Sequence, residues 1–222
     1  MAENITFPGR LIAVDGSRGK DTDAAADAIV DELRRAGIAC AVSRWDASGL
    51  FGELAQAARG ERPLSARTLA LVYAADLAFR LRWEIRPVLE AGGIVVAASY
   101  IETPVAFAAG CGLNEEWLRQ LLRFAPAPDL RGRARERKVD RPWKRRTDRG
   151  YAEFGAAMLG DAEPKLVSKA ARRRMIAMLD QARGRKVFDL TSKGVSAIAA
   201  ALTDSRRAAS RRSASKPRNG RK

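Results

Sequence analysis

The chain of 222 residues has no histidine, and its two cysteines, Cys40 and Cys111, show no metal-type spacing. Zinc fingers, histidine-based triads and imidazole general bases are thereby excluded. Long apolar runs are missing as well: no stretch reaches the roughly eighteen uninterrupted apolar residues of a membrane span, so no membrane partner is expected. The opening stretch "MAENITFPGRLIAV" carries Glu3 early and has neither a basic leader nor an extended apolar segment, which makes the cytoplasm the expected location. Aromatic residues amount to only 6% of the chain. Acid is absent from the last stretch, residues 205–222, which holds eight Lys or Arg and no Asp or Glu.

What is present is an ordinary globular composition, 46% apolar and 30% charged, in a chain long enough to bury roughly 70% of its unfolded surface in one core. The net charge of +15 is concentrated in two places. Residues 131–150, "RGRARERKVDRPWKRRTDRG", contain ten basic and three acidic residues, and together with 205–222 they account for the whole excess. The terminal segment is made of Ser, Ala and Arg without a large apolar residue, so it is expected to be a disordered basic tail. The expected organisation is one α/β domain over 1–204, with 131–150 as a basic segment within it.

Short apolar runs alternate with helical patterns along that domain. "RLIAV" (10–14), "IACAVS" (38–43), "IVVAAS" (94–99) and "KVFDL" (186–190) read as buried strands of a parallel sheet. Between Asp21 and Ala36, apolar residues recur at helical spacing and Gly37 supplies a stop. A long helical tract runs from Ser65 to Gly93, with a kink expected near Pro87 because proline removes an internal hydrogen bond. The pattern implies three layers, a parallel sheet with helices on both faces. Ligands of such sheets bind beyond the carboxyl ends of the strands, here residues 15–22, 44–49 and 98–104.

The first of these stretches, Gly16-Ser17-Arg18-Gly19-Lys20-Asp21-Thr22, joins a strand to a helix with a lysine where a phosphate would sit. A working phosphate-binding loop has the form G-x-x-x-x-G-K-[ST], whose amides wrap the phosphates and whose hydroxyl binds magnesium. Here two residues are missing between the glycines, which shortens the loop by up to about 7 Å. Asp21 takes the hydroxyl position, and a carboxylate about 4 Å from a phosphate oxygen opposes binding by about 4 kcal/mol at an effective dielectric of 20. A magnesium ion between them would reverse that sign, with Asp21 and Thr22 as its ligands.

The wider sequence resembles thymidylate kinases. The resemblance is carried by "LSARTLALVYAADLAFRLRWEIRPVLEAGGIVVAASY", by "GLNEEWLRQLLRFAP" and by "VDRPWKRRTDRGYAEF" near the family's lid, and it covers most of the chain to about Ser205. It implies a P-loop nucleoside monophosphate kinase fold and, as activity class, phosphoryl transfer from ATP to dTMP with Mg2+. On that resemblance Lys20 matches the loop lysine and Arg44 the arginine after the second strand, the two catalytic positions of an active enzyme. Gly16, Ser17, Arg18, Gly19, Lys20, Asp21, Thr22 and Arg141 would hold ATP, while Arg44, Tyr73 and Tyr100 would hold the nucleotide substrate, with Tyr73 stacking on the base. Arg67 and Asp140 also keep family identities.

Other positions depart from the family. Its Asp-Arg-Tyr after the third strand is Ala98-Ser99-Tyr100 here, its Ala-Asp-Arg in the long helix is Ala75-Asp76-Leu77, and its base-reading glutamine and following arginine are Ala108 and Cys111. Phosphoryl transfer rests on positioning and electrostatic stabilisation, so these losses predict a catalytically impaired, nucleotide- or anion-binding homologue. Two alternatives stand beside it: an active dTMP kinase using compensating arginines, and a nucleic-acid or polyanion binder acting through 131–150 and 205–222. Thymidylate kinases commonly dimerise through helices, which would involve Leu69, Leu81 and Trp83. One central strand is expected to be absent, because "RGRARERK" follows Leu130 where the family has an apolar strand. A segment such as "KLVSKA" (165–170) could fill the gap, but the expectation is that Val187–Leu190 pairs directly with Leu11–Val14.

Overall fold

The computed structural model describes residues 7–17, 19–57, 65–134, 169–181 and 187–214. Their elements run β1 (Arg10–Gly16), α1 (Gly19–Arg35), β2 (Cys40–Ser43), α2 (Leu50–Ala57), α3 (Ala66–Arg80), a π-helical turn (Leu81–Ile85), α4 (Arg86–Glu90), β3 (Ile94–Ala98), α5 (Glu102–Gly110), α6 (Glu115–Leu121), β4 (Leu130–Ala134), α7 (Lys169–Gln181), β5 (Val187–Asp189) and α8 (Ser192–Ala214). The strands form one parallel sheet in the order β2-β3-β1-β4-β5.

Alternation along β1 builds both halves of the core. Leu11 and Ala13 pack with Val95, Ala97 and the apolar residues of α3, α5 and α7 on one face. Ile12 and Val14 pack with Ile94, Val96 and the inner sides of α1 and α8 on the other. Every residue of β3 is buried, as a central parallel strand requires. The result is the expected three-layer α/β architecture.

The sheet does not lack its strand. Direct pairing of Val187–Leu190 with Leu11–Val14 is overturned, because β4 lies between them: Ile12 to Gly16 of β1 face Leu130 to Ala134, and Arg131 to Arg133 face Val187 to Asp189. The sequence Leu-Arg-Gly-Arg-Ala is no apolar run, yet Leu130, Gly132 and Ala134 are buried while Arg131 and Arg133 alternate with them. Arg131 reaches Glu102 of α5 at 3.4 Å, and Arg133 pairs with Asp180 of α7. Carboxylates supplied by the covering helices thus pair both of these half-buried arginines.

Pro87 is accommodated differently from a simple kink. The helix widens to π geometry over Leu81–Ile85, with the Arg86 N–H donating to the Leu81 carbonyl, and restarts as α4 with Pro87 in its first turn. There a missing N–H costs nothing. The expected loop 98–104 is cut short by α5, which starts at Glu102. At the other end α8 continues to Ala214, past the point where the tail was expected to be disordered. Alanine and arginine are good helix formers, and a packed preceding segment supplies the nucleus that an isolated peptide lacks. The predicted helix "YAEFGAAML" and the rest of the basic segment lie outside the described residues.

Candidate active site

The carboxyl ends of β1, β2 and β3 meet in a buried polar network that begins at Asp15. Burial of this carboxyl pushes its pKa up to about 6, against the opposing effect of its hydrogen bonds to Thr103; nearby Glu102 raises it further. Its Oδ1 accepts from the Thr103 N–H at 2.9 Å and from the Thr103 hydroxyl at 2.7 Å. The Thr103 Oγ1 in turn accepts from the Gly16 N–H at 3.2 Å. The first amide of the expected phosphate loop is thus already bonded to a side chain.

Thr22 is closed in as well. Thr22 is fully buried; its hydroxyl donates to the Gly19 carbonyl at 2.7 Å and lies 3.1 Å from the Ser99 hydroxyl. Ser99 adopts φ 52°, a left-handed conformation uncommon for serine, which turns the chain sharply after β3. Gly16 is required by crowding: a Cβ there would stand 2.9 Å from Thr22 Cγ2 and 3.1 Å from Ala134 Cβ. Ser17 and Asp21 are buried in the same turn. Lys20 lies in the first turn of α1, but its side chain, like Arg18 and Arg141, lies outside what is described.

This arrangement does not fit a magnesium ion held by Asp21 and Thr22, since the threonine hydroxyl is inaccessible and spent on protein partners. Among the described residues, no group of three or more Cys, Asp or Glu is gathered to hold a metal.

A second cluster surrounds Arg80, whose role the sequence reading missed. Its side chain is fully buried: Nε donates to Ser43 Oγ at 2.9 Å, one terminal nitrogen to the carbonyls of Ser43 at 3.1 Å and Ala98 at 2.9 Å, and the other to the Ser99 carbonyl at 3.3 Å. Ser43 donates its own hydroxyl proton to a hydrogen bond with Glu84 at 2.6 Å. The guanidinium therefore ties the carboxyl ends of β2 and β3 together, and an arginine three residues beyond core Leu77 and seven beyond core Tyr73 was the available signal.

The expected base-binding position is covered. Tyr73 is fully buried, with its hydroxyl donated to the Ser99 and Tyr100 carbonyls and its acidity suppressed by burial. Trp45 stacks on its ring at 4.6 Å between centroids and 11° between planes. Tyr100 is buried too and bonds the Pro126 carbonyl at 2.9 Å. Asp76 clamps the loop after β2: its carboxylate accepts from the N–H and hydroxyl of Ser48, both at 2.9 Å, and from the Asp46 N–H at 3.2 Å.

Among the described residues, several other arginines near this edge are engaged. Arg44 faces Asp23 at 3.8 Å and pairs with Asp27, both on α1. Burial holds the Asp23 carboxyl above its usual range, with Arg44 pulling it back. Arg119 joins Arg131 on Glu102, at 3.2 Å. Arg67 lies over the Trp117 ring at 5.3 Å. Leu77 is core, as are Ala98 and Ala108.

No family model matches the chain. It is similar to a probable thymidylate kinase of Pyrococcus abyssi, 43% identical over 61 residues, which covers 28% of this chain and 30% of that protein. It is 36% identical over 138 residues to the thymidylate kinase of Thermomicrobium roseum, covering 59% of this chain and 61% of the relative. Similarity to the thymidylate kinase of a Synechococcus strain extends over 168 residues at 29% identity, covering 66% and 82%. The first two of these curated relatives are thus matched over less than two thirds of their length.

Proposed function

We propose that the chain, similar to thymidylate kinases over 61 to 168 residues, is a divergent member of that family that keeps its fold without its phosphoryl-transfer chemistry, as an impaired nucleotide- or anion-binding protein. One observation carries the reading. The Thr103 hydroxyl takes up the Gly16 N–H, an amide a phosphate would need, and the Thr22 hydroxyl, which a magnesium ion would need, is buried and spent on the Gly19 carbonyl beside Ser99. A phosphate could enter only by breaking those buried contacts and opening a loop two residues short. The electrostatics point the same way. Phosphoryl transfer needs several cations converging on the migrating group, whereas Arg44, Arg131 and Arg133 are each engaged by carboxylates. ATP and Mg2+ would supply the phosphoryl group and its charge neutralisation in an active relative.

The test is a coupled assay of ADP release with ATP, magnesium and dTMP. The expected result is no dTMP-dependent turnover above background. Turnover that disappears in Lys20→Ala would overturn the reading and would mean that arginines of the basic segment replace the missing charges.

A further inference from the structure

Three rings, Trp45, Phe51 and Tyr73, gather at the carboxyl end of β2, where a parallel sheet presents its ligand-binding edge. Tyr73 is immobilised: it sits on α3, has no exposed surface, and its hydroxyl is fixed by two carbonyls. Trp45 is different. It belongs to a loop, is half-buried, and is followed by Asp46 at φ 60° and Gly49 at φ 72°, two left-handed residues that fold the loop back over the helix. We infer that Trp45 is a plug: it occupies the face of Tyr73 that a flat ring of nucleobase size would take, so such a ligand enters only by displacing the indole. This rests on the preceding proposal, since it concerns the same ligand edge.

The loop chemistry explains why the plug is seated rather than incidental. The fully buried Asp76 carboxylate holds Asp46 and Ser48, and Asp46 Oδ1 accepts from the Phe51 N–H at 3.0 Å, joining the loop to the start of α2. Phe51 in turn flanks the indole at 5.4 Å between centroids, tilted by 53°. Every restraint in this set bears on the loop that carries Trp45 or on the ring beside it. The ligand class excluded is a planar aromatic ring of one or two fused cycles, the size of the indole itself. Exclusion is steric, so it holds whatever phosphate the ring carries.

The experiment is calorimetric titration of dTMP and of thymidine into the wild-type chain, Trp45→Ala and Trp45→Val, with thermal melts to establish that the variants are folded. Expected is no measurable binding to the wild type and a gain of about tenfold or more in affinity for both ligands in the variants. A folded variant that gains nothing overturns the plug, as does wild-type binding of dTMP with the Trp45 resonance unchanged in the 5-fluorotryptophan-labelled protein. If neither variant folds, Trp45→Leu, which refills part of the space without a stacking plane, takes their place, and a folded Trp45→Leu protein that gains no affinity overturns the plug. The two proposals fail separately. Wild-type binding of that kind without turnover removes the plug and leaves the impairment, whereas a Trp45 variant that both binds and turns over dTMP supports the plug and removes the impairment.

Discussion

The ligand edge is closed at both ends, but by unlike means. At the turn after β1, small hydroxyls and one carboxyl fill the space: Asp15, Thr22, Ser99 and Thr103. At the loop after β2, a stacked indole covers a tyrosine while a buried arginine and a buried aspartate brace the backbone beneath. The hydroxyl end depends on a few short contacts between light groups. The aromatic end is anchored by a guanidinium with four acceptors and a carboxylate with three donors. The two ends should therefore yield to substitution by different amounts.

The largest effect belongs to Arg80→Met, which keeps the apolar stem and removes the charge. It leaves the Ser43, Ala98 and Ser99 carbonyls without these donors, and a loss of about 3–5 kcal/mol in unfolding free energy is expected from urea denaturation. A loss below about 1 kcal/mol would show that the guanidinium is not what braces β2 against β3.

Next comes Asp15. Its folded pKa is about 6 against an ordinary value of 3.8, so the native state binds the proton more tightly than the unfolded chain. The stabilisation is complete below about pH 4 and is lost as pH rises through about 6, amounting to about 3 kcal/mol at most. Asp15→Asn should flatten this window: little different from wild type near pH 4, and more stable than it by a similar margin near pH 8. Denaturation midpoints across that range measure it, and parallel curves for the two proteins would contradict the assignment.

The smallest effect is at Thr103→Val, which removes the hydroxyl between Asp15 and the Gly16 N–H at nearly constant volume. A loss of about 1–2 kcal/mol is expected, with faster hydrogen exchange at the Gly16 amide if the turn opens. An unchanged amide would mean that the turn is held shut from elsewhere.

Much of this fold is legible in the amino-acid sequence itself. The apolar runs at β1, β2 and β3 and the periodic stretch at α1 each state their own environment locally, and the strands and helix lie within a few residues of those patterns. β4 cannot be read that way. Its half-buried arginines are paired by Glu102 and Asp180, which arrive from helices distant in sequence, and no window around Leu130 contains that information. The site divides similarly. The short glycine turn and the losses at Ser99 and Leu77 are visible as letters, while the roles of Trp45, Arg80, Asp76 and Thr103 arise from tertiary neighbours. An indole at 45 carries no local sign that Tyr73 lies beneath it.

The wide turn at Leu81–Ile85 accommodates one more residue than an ordinary helical turn, and with it the long helix gains two independent phases. Upstream, Tyr73, Leu77 and Arg80 are indexed to the strand ends; downstream, Leu89 is indexed to Gly9, whose N–H reaches the Leu89 carbonyl at 2.9 Å. Without the extra residue, everything after it would rotate by about 100° about the axis. The turn is a mechanical coupling, setting the portion that organises the ligand edge and the portion under the first strand each at its own angle about the axis.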